Sequence, residues 1–89
     1  MSVEATVEIK NRLGLHLRAA STLAQSLKPF DSSVTLSNGA HQANARSVTS
    51  LIMLGAATGS KLQAKAEGPD AEAALAAVKS VFEQGFGED

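Results

Sequence analysis

Eighty-nine residues suffice for one domain, spanning residues 1–89, and a chain of this size buries roughly 60–65% of its unfolded surface. Hydrophobic residues at 44% exclude a disordered chain, and the lack of cysteine excludes disulfides and thiolate metal sites. A net charge of −1 offers no footprint for nucleic acid, and no apolar run approaches the ~20 residues of a membrane span, so the expectation is a cytoplasmic chain without membrane insertion.

Taken in order, Val3, Ala5, Val7 and Ile9 alternate with Glu4, Thr6, Glu8 and Lys10, the period of a half-buried strand. After a short connection at 11–14 the period changes. Ala20, Leu23, Ala24 and Leu27 mark one face of a helix that starts near His16 and stops before Pro29. Residues 33–37 read as a second strand, with Val34 and Leu36 inward. Asn38-Gly39 signals a hairpin into a short polar strand at 40–44. Ser47 is placed to cap a brief helix carrying Val48, Leu51 and Ile52, stopped by Gly55. Residues 61–67 alternate again. Asp70 then caps a long helix with a buried stripe of Ala71, Ala74, Leu75, Val78 and Phe82, ending near Gly85.

The order is βαββαβα. Alternating strands make one sheet face dry and the other wet, so the long helices must cover the dry face. The expected fold is α+β: a two-layer, open-faced β-sandwich with a four-stranded antiparallel sheet and helices on one face. With three Phe, no Trp and no Tyr, its core must be aliphatic.

The chemistry gathers at Gly14-Leu15-His16-Leu17-Arg18. This segment follows a strand and opens a helix, yet Ser, Thr, Asp and Asn are missing where a cap belongs. The first helical N–H groups therefore lack an obvious side-chain acceptor, and an incoming anion could supply one. Arg18 adds a planar fork of donors suited to phosphate oxygens. A histidine is largely neutral at cytosolic pH, so a ring nitrogen can attack a phosphoryl group. By itself a lone histidine at a helix start is also compatible with a plain capping role.

The run Gly14-Leu15-His16-Leu17-Arg18-Ala19-Ala20 resembles the active-site motif of HPr, the histidine-containing phosphocarrier family of the bacterial sugar phosphotransferase system. The likeness covers essentially the whole chain. It includes Asn44-Ala45-Arg46-Ser47, the stretch from Leu54 to Gly59, and the approach to the last helix from Glu67 to Ala71. The resemblance implies that His16 accepts a phosphoryl group through Nδ1 from enzyme I and passes it to an enzyme IIA-type protein. Arg18 would bind the phosphate, in a monomer needing neither cofactor nor metal. Such a chain is a phosphorelay carrier rather than a stand-alone enzyme, and the resemblance leaves sugar uptake and nitrogen regulation both open as the final circuit.

Two positions depart from that pattern. Leu17 stands where the family has a small residue or Thr, and Ala19 where it has Pro. Leu17, Ala20, Val48, Thr49 and Ile52 fall at the implied partner-docking positions, with Thr49 where an apolar residue is common. Ser47 matches a serine that an HPr kinase phosphorylates in some relatives. The alternative function is therefore a regulatory module acting through Ser47 and the apolar patch, and the plain alternative for Ser47 is an N-cap. A generic RNA-binding domain is disfavoured by the lack of aromatics for base stacking. His41 is expected in solvent on a polar strand, and Glu83, Glu88 and Asp89 are expected exposed and without a role.

Overall fold

The computed structural model describes residues 1–88. Its elements follow the expected order: strand β1 (Ser2–Glu8), helix α1 (Leu17–Ser26), strands β2 (Ser33–Asn38) and β3 (His41–Asn44), helix α2 (Val48–Met53), strand β4 (Lys61–Glu67) and helix α3 (Ala71–Glu83). A short 3-10 helix, Gly85–Gly87, follows.

The four strands form one antiparallel sheet in the order β1-β4-β2-β3. Strand alternation sends Val7, Val34, Leu36, Leu62 and Ala66 inward, all nearly inaccessible. Glu4, Thr6, Gln63, Lys65 and Glu67 stand on the open face. At the sheet centre Ala64 faces Ala5 on one side and Leu36 on the other. Helix α3 lies on β1 and β4, and α1 packs against α2 and α3. The architecture is the two-layer α+β sandwich with one side open. Its core is aliphatic with one fully buried aromatic, Phe82, and each large apolar side chain buried this way contributes about 1.5–3 kcal/mol.

Two local details, the β2–β3 turn and the role of Asp70, differ from the sequence reading, while the end of α1 ahead of Pro29 agrees with it. The β2–β3 turn consists of Gly39 and Ala40, because Asn38 pairs directly with His41. Only Gly39 takes positive φ, at 63°, as at the first central position of a type II′ turn. Helix α1 stops at Ser26, ahead of Pro29, and the Leu27 N–H turns back to the Ala24 carbonyl at 3.3 Å. The carbonyls beyond it are satisfied by Arg46, whose guanidinium donates to Leu27, Phe30 and Ser32 at 3.1, 2.6 and 2.7 Å. Asp70 does not cap α3 with its side chain. Its carboxylate instead accepts from the Asp31 and Ser32 N–H groups, each at 2.9 Å, and from the Ser32 hydroxyl. The Ser32 hydroxyl oxygen in turn accepts the Asp70 N–H at 3.1 Å, stitching the start of β2 to the start of α3.

The connection after β1 is held as tightly. The Ile9 N–H donates to Ser60 O at 2.9 Å, and Ile9 O accepts from Gly59 at 2.7 Å. Gly14 has φ 73°, and a Cβ there would lie 2.7 Å from the Ala56 carbonyl oxygen. Beside it the Leu15 N–H donates to that same oxygen at 3.1 Å. Gly14→Ala therefore meets both a left-handed backbone and a backbone wall, and should cost about 2–3 kcal/mol in urea unfolding.

Asp70 supplies a pH-dependent test. Hydrogen bonds from the Ser32 hydroxyl, then from the Asp31 N–H, hold its carboxyl below the ordinary aspartate value. A depressed acid stabilises the fold above its unfolded value of about 4, and that stabilisation is lost as pH falls through the folded value. Asp70→Asn should thus lower the thermal midpoint at pH 7, with the gap to the parent chain closing below about pH 4. A gap unchanged across that range would show that the carboxylate is not the stitch.

Candidate functional site

The site is built where the connection after β1 enters α1. Asn11 is 1% exposed and turns its amide toward two acceptors. Its Nδ2 donates to Gly14 O at 2.7 Å and to Glu88 Oε1 at 2.9 Å. Gly14 and Leu15 are pinned on Ala56, so the next residue, His16, enters the helix from a fixed point. His16 has extended backbone (φ −85°, ψ −176°), and its carbonyl accepts the Ala20 N–H at 2.9 Å, which makes it the N-cap.

The imidazole is held at both nitrogens. Nδ1 accepts the Arg18 backbone N–H at 3.4 Å. Nε2 lies 2.9 Å from both carboxylate oxygens of Glu88. A backbone amide can only donate, so Nδ1 carries the lone pair and the hydrogen-bond network assigns the proton to Nε2. The first helical N–H groups, expected to lack a side-chain partner, thus have one in the ring of His16 itself. The bond is long, and a histidine is a poorer cap than Ser or Asp.

Glu88 corrects a second expectation. Read as a solvated terminal residue, it is a half-buried group whose side chain is 14% exposed against 28% for His16. Bonding from His16, then from Asn11, holds its carboxyl below the ordinary glutamate range, with the Arg18 charge assisting through space. Nothing in local sequence pattern announces a contact across 72 positions. Glu83 is exposed, as expected, and Asp89 lies outside the described residues.

Arg18 is exposed on the first turn of α1, beside the ring that caps it. Of the docking positions, Leu17 is 63% exposed, Ile52 and Thr49 are exposed, and Val48 is half-buried against the core. Ala20 is corrected: it is fully buried on the inner face of α1 and offers no area to a partner. Two residues add exposed apolar surface that the motif comparison passed over, Leu13 in the loop and Met53 at the end of α2. Their signal was simply an apolar side chain outside any buried stripe. The chain leaving α2 leads to Ala56, so this surface borders the loop that carries His16. Between α1 and α2 runs a shallow groove lined by Ser21, Ala24, Lys28 and Val48. Ser47 caps α2, its Oγ accepting the Ser50 N–H at 3.2 Å. His41 is exposed on β3.

Residues 3–84 match the family described as "PTS HPr component phosphorylation site". The chain is 46% identical to the phosphocarrier protein NPr of Escherichia coli K12 over 90 aligned positions, covering all of both chains. It is 34% identical to the phosphocarrier protein HPr of Xylella fastidiosa, over 98% of each. Its fold superposes on the crystal structure of HPr-C-His from Thermoanaerobacter tengcongensis with a TM-score of 0.92, at 36% identity and 98% coverage of each chain. A βαββαβα sandwich with a histidine capping its first helix, matched along its length by these relatives, identifies the chain as a member of the HPr family of phosphotransferase-system phosphocarriers.

Proposed function

We propose that the chain carries a phosphoryl group on Nδ1 of His16, taken from enzyme I and passed to an enzyme IIA-type acceptor, as one cytoplasmic monomeric domain. The observation that carries this reading is the position of Nδ1. It bears the free electron pair and lies against the first turn of α1, where Arg18 N–H already points at it.

The chemistry follows from that placement. The Nδ1 lone pair attacks the donor's phosphorus; the N–P bond forms as the donor's bond to phosphorus breaks, and that bond's electron pair leaves with the donor. The phosphoryl oxygens then lie at the N-terminus of α1, where free N–H groups and the helix dipole favour negative charge. The exposed guanidinium of Arg18 supplies further donors from the same turn. Onward transfer reverses these steps in the acceptor's site. A ring that is 28% exposed admits a partner's active site to its open edge. Leu13, Leu17, Ile52 and Met53 provide apolar area for docking around it.

Incubation with enzyme I and phosphoenolpyruvate should add one acid-labile phosphoryl group, located on His16 by mass spectrometry and absent in His16→Ala. Phosphate retained in His16→Ala, or found only elsewhere, would refute the reading. Leu17→Asp places a charge in the docking surface without touching the core. It should raise the KM for enzyme I roughly tenfold while leaving kcat and the thermal midpoint nearly unchanged. An unaltered KM would remove Leu17 from the interface.

A further inference from the structure

Glu88 touches the ring at the edge opposite Nδ1, and three separate features bring it there. The first is a reversal of the chain after α3. Gly85, Phe86 and Gly87 all take left-handed backbone, at φ 60°, 58° and 74°. Two of them are glycines, for which this is easy, but Phe86 is bulky and such a conformation is a strained outlier for it. Phe86 is held there by burial and by an edge-to-face contact with Phe82, ring centroids 4.9 Å apart. The Glu88 N–H closes the turn on Gly85 O at 3.0 Å.

The second feature is Asn11, which grips the Glu88 carboxylate and the Gly14 carbonyl with one NH₂ group. Its Oδ1 is buried without a partner among the described residues, a cost of about 1–3 kcal/mol for such an acceptor. The two donor bonds are what the buried amide returns. The third feature is the matching of the ring itself, whose Nδ1 accepts while Nε2 donates.

We propose that Glu88 is a positioning residue for phosphoryl transfer, fixing the proton of His16 on Nε2 so that Nδ1 keeps the lone pair. This rests on the reading of His16 as the acceptor. Neutral imidazole in water divides between two tautomers and rotates freely, and only one tautomer, in one orientation, can attack from Nδ1. The 3.4 Å bond from the Arg18 N–H favours this tautomer only weakly, and the 2.9 Å contacts of Glu88 at Nε2 fix it and hold the ring plane. As the N–P bond forms, the ring becomes a phosphoimidazolium with Nε2–H still in place, and the carboxylate faces the new positive charge. When the group leaves, the N–P electron pair returns to Nδ1 and the same neutral tautomer is restored.

Nitrogen NMR of the His16 ring in the full chain, near neutral pH, reads the tautomer without any partner protein. The parent chain should show Nε2–H predominating, Glu88→Ala a mixture of both tautomers, and Glu88→Gln, which keeps an acceptor oxygen, a restored preference. The rate of phosphorylation by enzyme I should fall about tenfold in Glu88→Ala and recover in part in Glu88→Gln, as expected for loss of one charged hydrogen bond. A parent-like tautomer ratio in Glu88→Ala would overturn the proposal, and so would a shifted ratio with an unchanged rate. Failure of the parent chain to be phosphorylated would instead sink the reading of His16 as acceptor, with the tautomer ratio still judging the contact.

Discussion

A helix that begins without a side-chain acceptor leaves backbone N–H groups unpaired, and here the acceptor is the nitrogen proposed to become a nucleophile. Nδ1 of His16 serves the Arg18 N–H through a 3.4 Å bond, long enough to be weak. A cap of ordinary quality is worth about 0.5–2 kcal/mol, so a weak one is readily exchanged. In the proposed transfer, the oxygens of a phosphoryl group on Nδ1 would replace the ring as acceptor for the same first turn. The helix exchanges one cap for a better one, and neither state demands that α1 unwind. Small structural change between the two states would suit the proposed carrier, whose donor and acceptor would meet the same surface.

That exchange works only if the ring is presented from a stiff platform, and the core alone would not supply it. The interior is aliphatic and rich in alanine, with Ala19, Ala20, Ala64 and Ala74 all fully buried. Small side chains bring helices and sheet close but contribute little burial each. The loops at both ends of the sheet, one beside His16 and one at the far end of α1, are held instead by polar cross-links of long sequence separation. Arg46 closes the end of α1, Asp70 with Ser32 ties β2 to α3, and Leu15 with Gly14 seats the entry to α1 on Ala56. Ala19 fits this scheme: it lies on the inner face of α1 and is fully buried, and alanine extends the helix without strain.

What could be read from residues in order was whatever depends on neighbours in order. Strand alternation, the Gly39 turn and the buried stripes of α1 and α3 are consequences of period and local conformational preference. His16 and Arg18 stood out because a strand-to-helix junction without an ordinary cap is locally visible. Asp70 was misassigned because it precedes a helix, the usual setting of a cap, whereas its carboxylate found Asp31 and Ser32 in the loop leading into β2. Ala20 was placed on the docking surface by likeness to a motif, although its spacing with Leu23 had already put it on the buried face. Glu88 was invisible for a stronger reason. Its contact depends on Phe86 adopting a backbone that phenylalanine avoids, and burial in the core with packing on Phe82 makes that conformation hold.

The placement of Glu88 also bears on a difficulty that any carrier faces, since the bond it makes must also break. If Nε2 lost its proton after phosphorylation, the ring would have to depart as an imidazolate, a strong base and a poor leaving group. With the proton retained it departs as neutral imidazole. A carboxylate at Nε2 therefore favours both half-reactions through one interaction, because the tautomer that attacks is the tautomer that leaves. The cost is a negative charge near an arriving anion, and the geometry reduces it in two ways. Glu88 lies at the ring edge away from the Nδ1 position, and Arg18 sits close enough to lower the carboxyl's own titration. Together the two side chains are neutral, so the phosphoryl group meets the positive end of α1 with no net opposing charge from this pair.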